Sequence, residues 1–171
     1  MNTSLSDSQF NRFAISTEFS PGTNHATLSD LLVITPTAKT IRIIAAYICA
    51  VQSGAGNPRF RLIRRTTANA GGASTVITPA PWDSKTPTSW TKIDQYTAHP
   101  TSVGDAAATF RTTPIQFASG GLHSGVEQWP LTFDAGMKRV TVHPGEFLAI
   151  NAAGLDSGAS FQCSIFFDED E

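Results

Sequence analysis

The chain has 171 residues, of which 40% are hydrophobic and 15% charged, with a formal net charge of −2. That length fits one ordinary domain able to bury roughly 70% of its unfolded surface, so a core forms without metals or disulfide bridges. The charge supplies no field for nucleic acid or an anionic membrane, and no apolar run approaches the ~20 residues of a membrane span.

The first turns of the chain lack the basic start and apolar centre of a signal peptide, so the mature protein is expected to begin at Met1. Charge is replaced by 21 Thr and 16 Ser, which suit strands and turns better than helix interiors. A charge-poor surface fits two cases equally: a plain β-rich protein, or a chain that lies against neighbours, since interface cores lose charged residues.

Residues 1–9 are polar and read as an N-terminal arm, leaving residues 10–171 as a single domain. Phe10, Phe13, Ile15 and Phe19 follow no clean period, and a short strand is expected near Phe13 to Thr17. Asp30-Leu31-Leu32-Val33-Ile34-Thr35 reads as a buried strand stopped by Pro36. Over Thr40 to Gln52, Ile41, Ile44, Ala45 and Ile48 make a helical stripe. Ile41, Ile43, Ala45, Tyr47, Cys49 and Val51 alternate over the same span. Four isoleucines and a valine decide for the strand, because β-branched side chains are stiff and pack well on a pleated surface.

Ser53 to Pro58 turns the chain, and Arg59 to Thr67 is the next strand. Ala68 to Trp90 shows neither period and reads as a long loop, a length that implies function or ordering by a partner. Trp82 and Trp90 inside it have two readings of equal weight: anchors at an interface, or lids folded back over an open end of the sandwich. Lys92 to Ala98 and Ala108 to Phe117 read as strands, the latter placed at an edge or bulge by Pro114. Ala118 to Glu127 is a second glycine-rich loop, and Trp129 to Phe133 a short strand.

The segment Lys138 to Glu171 reads as three successive strands of an antiparallel meander. His143-Pro144-Gly145-Glu146 carries turn chemistry. In the closing strand Phe161, Cys163, Ile165 and Phe167 share one face, Ser160, Gln162 and Ser164 the other, and Phe166 interrupts the polar face. Eight to ten strands with regular turn signals and no helix predict an all-β fold: an antiparallel, jelly-roll-like β-sandwich with long Gly/Pro-rich loops.

No residue set for catalysis, cofactor binding or metal is assigned. His25, His99, His123 and His143 are scattered, and the two alternating histidines of a cupin metal site are missing despite the turn at His143. Gly71-Gly72 and Ser119-Gly120-Gly121 have no following lysine and helix to make a phosphate loop. Glu127 and Asp134 read as solvated carboxylates rather than a glycosidase pair. Cys49 and Cys163 lie within apolar alternation and read as buried free thiols rather than a disulfide or ligand pair. Arg59, Arg61, Arg64 and Arg65 share a strand, and Asp168-Glu169-Asp170-Glu171 ends the chain. The favoured reading is solubility and a frayed tail, against a tail that meets the arginine strand of another copy.

The run Arg64-Arg65-Thr66-Thr67-Ala68-Asn69-Ala70-Gly71-Gly72-Ala73-Ser74-Thr75, then Thr78-Pro79, Asp83-Ser84 and Tyr96-Thr97-Ala98-His99-Pro100-Thr101, resembles a group of small structural proteins of tailed bacteriophages. The resemblance covers roughly Thr40 to Thr112 and departs from the pattern over Trp82 to Trp90. It implies a β-sandwich or jelly-roll virion component present in several copies, such as a cement protein on the head.

The expected function is therefore a non-enzymatic capsid decoration (cement) protein. It would bridge neighbouring subunits of the major capsid protein as a homotrimer, in a virion assembled in the host cytoplasm. Arg64, Arg65, Trp82, Trp90 and Trp129 are the candidate subunit or capsid contacts. The alternative is a tail or fibre module that binds a host-surface glycan, with Trp82, Trp90 or Trp129 as a stacking platform. A cupin-like enzyme stands third.

Overall fold

A computed structural model of the chain describes residues 10–19, 29–52, 59–114, 139–153 and 160–170. Among these the regular structure is all strand: β1 (Phe10–Phe19), β2 (Ser29–Pro36), β3 (Ile41–Gln52), β4 (Arg59–Arg65), β5 (Ala73–Ile77), β6 (Ala80–Pro81), β7 (Thr91–Ala98), β8 (Ala106–Pro114), β9 (Thr141–Val142), β10 (Phe147–Ala153) and β11 (Ser160–Asp170). They form two antiparallel sheets packed as a sandwich, one of five strands in the order β6-β1-β11-β3-β9, the other of six in the order β5-β7-β2-β10-β4-β8. The predicted arm, the segment from Ala118 to Phe133 with Trp129, and His25, His123, Glu127 and Asp134 lie outside the described residues.

The core follows from period-2 alternation. Phe161, Cys163, Ile165 and Phe167 of β11 are all buried on the inner face, as the sequence predicts. Phe13 stacks on Phe167 within the five-stranded sheet at 5.6 Å between ring centroids. Phe60 of β4 meets Phe161 of β11 edge-on at 4.9 Å, which locks one sheet onto the other. Burial of each such ring contributes about 1.5–3 kcal/mol.

Pairing is nested. β1 pairs with β11, β2 with β10, β3 with β9 and β4 with β8, so early strands meet late ones. The expected closing meander is thereby corrected. β9 and β11 lie in the five-stranded sheet, whereas β10 lies between β2 and β4 in the other. Alternation specifies which side of a strand is buried and leaves its hydrogen-bonding neighbour open. The turn at 143–146 is nonetheless built as its residues require: Glu146 N–H donates to His143 C=O at 3.0 Å, and Gly145 takes φ 88°. It carries the chain from one sheet to the other.

β3 is a strand as expected, but its alternation does not run through. Ile41, Ile43, Ala46 and Ile48 join the core, so the inner face shifts by one residue. The cause is a register irregularity between Phe166 and Phe167 of β11, where Phe166 opposes Ala45 and Phe167 opposes Ile43. The shift turns Tyr47 and Cys49 outward.

The segment Ala68 to Trp90, expected as a loop, is ordered by the chain itself. β5 extends the six-stranded sheet beside β7, and β6 extends the other beside β1. Two- and five-residue strands are too short to show a period. Pro79, between them, is buried and Ile77 packs against the core, so this segment straddles the flank of the sandwich.

Candidate binding surface

The candidate surface is built from the ends of β6, β7 and β11. Glu169, 1% exposed, sits on β11 with its carboxylate aimed at the segment between β6 and β7. It accepts from Ser89 Oγ at 3.0 Å, from Trp90 N–H at 3.0 and 3.1 Å, and from Thr91 Oγ1 at 2.8 Å. The Trp90 carbonyl accepts from Thr37 N–H at 2.9 Å and from the Thr37 hydroxyl. Both backbone groups of Trp90 are therefore held, while 54% of the residue faces solvent.

Trp82 is held differently. Its N–H donates to Arg12 C=O at 3.0 Å, which continues the pairing of β6 with β1. Its ring stands edge-on to Phe166 at 5.8 Å, and the Arg12 guanidinium lies 5.5 Å from the ring centroid. Phe166 meets Tyr47 edge-on at 6.0 Å on its other side. In register, Phe166 lies between Ala14 and Ala45, and these small side chains leave room for the flanking rings. The result is an aromatic row across the outer face of the five-stranded sheet, with Trp82 61% exposed at its end. Trp82 and Trp90 are both exposed, whereas Pro79 is buried and Ile77 packs against the core, so these two residues rather than the indoles cover the flank of the sandwich.

Past Trp82 the segment turns on Asp83, whose carboxylate accepts from Lys85 N–H at 2.9 Å and whose C=O accepts from Thr86 N–H at 2.9 Å. Side-chain capture of a nearby amide is the mechanism by which Asp stabilises turns. The two tryptophans thus bracket a short, internally bonded loop.

The arginine candidates separate. Arg65, 4% exposed, forms two 2.6 Å bonds to the Asp30 carboxylate and donates to Gly104 C=O. Asn151 Nδ2 joins Asp30 at 2.8 Å. Arg65 is a buried structural cation and offers no surface contact, which corrects its assignment. Strand alternation had placed a charged residue next to Arg64 without showing that Asp30 lies across β10 to receive it. Arg64 is half-buried beside Phe110, 5.7 Å from its ring, with Glu146 at 3.8 Å.

The reading of the acidic end as a frayed tail is corrected over Asp168 to Asp170. Asp168 pairs with Arg12 at 2.8 Å and Arg139 at 3.0 Å, Asp170 pairs with Arg42, and Glu169 holds the loop. These residues complete β11 instead of fraying, and their cations are not those of the arginine strand.

Cys163 is buried and free, and burial pushes its thiol well up, with Cys49 adding to the effect. Cys49 is free and half-buried on the outer face, contrary to the expectation that both are core thiols, because of the shift in β3. Among the described residues no group of three or more His, Cys, Asp and Glu side chains is placed to hold a metal ion. His143 Nδ1 contacts Thr40 Oγ1 at 3.2 Å.

Phe166, Tyr47 and Arg12, which form the surface, and Glu169, which supports it from below, were not singled out from the sequence individually as contacts. The interruption of the polar face by Phe166 was the visible signal. No protein-family model, curated protein or solved structure matches this chain.

Proposed function

We propose that the chain is a non-enzymatic virion structural protein, a capsid decoration protein whose Trp82–Trp90 loop docks against neighbouring capsid subunits. The observation that carries this reading is Trp90: a side chain 54% exposed on a backbone fixed at both its N–H and its C=O. An exposed indole that loses little freedom on docking has the properties of an interface hot spot. Trp82, pinned by Arg12 and Phe166, adds a second anchor at the other end of the loop.

The nested pairing supports a jelly-roll reading. β1, β11, β3 and β9 face β2, β10, β4 and β8, with β5, β6 and β7 as an insertion that supplies the loop. The phage resemblance points the same way, and with it we place the protein in the virion as a homotrimer. Many copies acting together stabilise a shell through contacts that are individually modest.

Co-sedimentation with empty shells of the matching major capsid protein tests the reading. Trp90→Ala should weaken binding by roughly thirtyfold, the effect of losing a hot spot of about 2 kcal/mol. Saturation of shells by the variant at wild-type concentrations would remove the loop from the interface. A monomeric mass in light scattering would exclude a preformed trimer.

A further inference from the structure

We propose that the outer face of the five-stranded sheet, around Trp82, Phe166 and Tyr47, is a binding site for a neutral carbohydrate chain. The proposal shares Trp82 with the proposed docking loop, and Trp90, which is held by Glu169 and takes no part in the aromatic row, separates the two.

The argument starts from register. Along β11 the outward positions are Gln162, Ser164, Phe166 and Asp168, opposed on β1 by Glu18, Ser16, Ala14 and Arg12. On β3, Tyr47 opposes Ser164 and Arg42 opposes Asp168. The face is therefore arranged in rows. An aromatic row lies between a hydroxyl and amide side and an ion-paired side.

Each row has its own chemistry. Trp82 offers an open indole whose orientation is set by Phe166 and Arg12, a surface for the C–H face of a sugar ring. Next to it, Ser16 and Ser164 share a hydrogen bond at 3.1 Å, and Gln162 Nε2 donates to Ser16 Oγ at 3.1 Å. Hydroxyl and amide groups both donate and accept, which matches the dual character of sugar hydroxyls. On the far side Asp168 pairs with Arg12 and Arg139, and Asp170 with Arg42; Glu18, opposite Gln162, brings the face to three carboxylates against three guanidiniums. Across the whole face an acidic polymer gains no net positive charge, which favours uncharged chains. A protein partner would call for a broader apolar centre than three rings flanked by hydroxyls.

Native affinity electrophoresis tests this with hydroxyethyl cellulose, dextran and galactomannan cast separately into the gel, and polygalacturonate as the acidic comparison. At least one neutral polymer should retard the wild type. Trp82→Ala should reduce that retardation at least tenfold, Tyr47→Phe severalfold, and Trp82→Phe should restore part of it. Trp90→Ala should lose shell binding yet migrate as wild type, so this variant distinguishes failure of the docking reading from failure of the carbohydrate site. The thermal midpoint of each variant reports that it is folded. Retardation by none of the neutral polymers, retardation by polygalacturonate alone, or undiminished retardation of folded Trp82→Ala would overturn the proposal.

Discussion

The two sheets turn opposite kinds of outer face away from their shared core. On the six-stranded sheet, Val33, Ile63 and Ala149 point away from the core residues Leu32, Leu62 and Leu148, yet they are buried. The Arg65 guanidinium crosses β10 to reach Asp30, and Asn151 completes the cluster. On the five-stranded sheet most outward positions stay open: Arg12, Ser16 and Gln162 are exposed and Tyr47 and Phe166 half-buried, while Asp168 is buried beneath its arginines. Charge on the first face is buried within the fold, and aromatic surface on the second is open to solvent. Polar residues alone do not mark a functional face; accessibility of the unusual residue does.

Breaking the buried side should give the largest effect. Asp30→Ala leaves the Arg65 guanidinium buried without its carboxylate and should cost about 3–5 kcal/mol in urea unfolding. The double change Asp30→Leu with Arg65→Met removes both charges and should recover most of that loss, since a buried pair is often replaceable by apolar side chains. No recovery would mean that the pair itself contributes the stability. Glu169→Gln comes next. It retains shape but converts acceptors of the loop donors into an amide, at a cost of about 1–3 kcal/mol. Faster amide exchange at Trp90 and Thr91 should accompany it.

The open side should respond weakly in stability and strongly in accessibility. Phe166→Ala should cost about 1–2 kcal/mol, well below the 3–5 of a fully buried phenylalanine. Acrylamide quenching of tryptophan fluorescence should rise as Trp82 loses its support. Trp82→Ala and Trp90→Ala should each change stability by no more than about 0.5 kcal/mol, the range of exposed positions, although they delete the largest side chains in the molecule. A loss of several kcal/mol for either would mean that the indole is structural and would erase the contrast. The thiols sharpen it at the level of single atoms. At pH 9 a thiol reagent should modify outward Cys49 in the native protein and reach Cys163 only after unfolding, because burial raises the Cys163 thiol and disfavours its reactive thiolate.

Much of the fold was legible in the sequence. Strands β2, β3, β4, β7 and β11 emerge at nearly their predicted positions because each carries an alternation or a long apolar run. Pro114 placed β8 at an edge, and the six-stranded sheet ends there. What escaped was pairing. Nothing in the alternation of β9, β10 and β11 tells a meander from strands that change sheets at every turn. β5 and β6 escaped because they are short and take their order from neighbours. At the surface, Trp82 and Trp90 stood out because tryptophan in a Gly- and Pro-rich stretch is conspicuous. Their supports did not, because Arg12 and Glu169 are remote in sequence and ordinary in type. Arg64 and Arg65 looked equivalent, and only their partners across the sheet separate them. The β3 shift, which exposes Tyr47, depends on an irregularity in β11 that no local pattern records.

The nested pairing also sets a timetable for folding. Arg12 and Asp168 are separated by 156 positions, yet their strands are immediate neighbours in the sheet. During synthesis β1 emerges long before the strand that it pairs with, and β3 waits likewise for β9 and β11. Contacts of such separation close large loops before any reward arrives, which slows folding. The β5–β7 pair, with Ile77 opposite Ile93, closes the shortest loop, and β4–β8 spans the shortest stretch of the four nested pairs, so loop closure favours order beginning in the six-stranded sheet. From there the sandwich closes outward, and the aromatic row of Trp82, Phe166 and Tyr47 is assembled last, when β11 slots between β1 and β3.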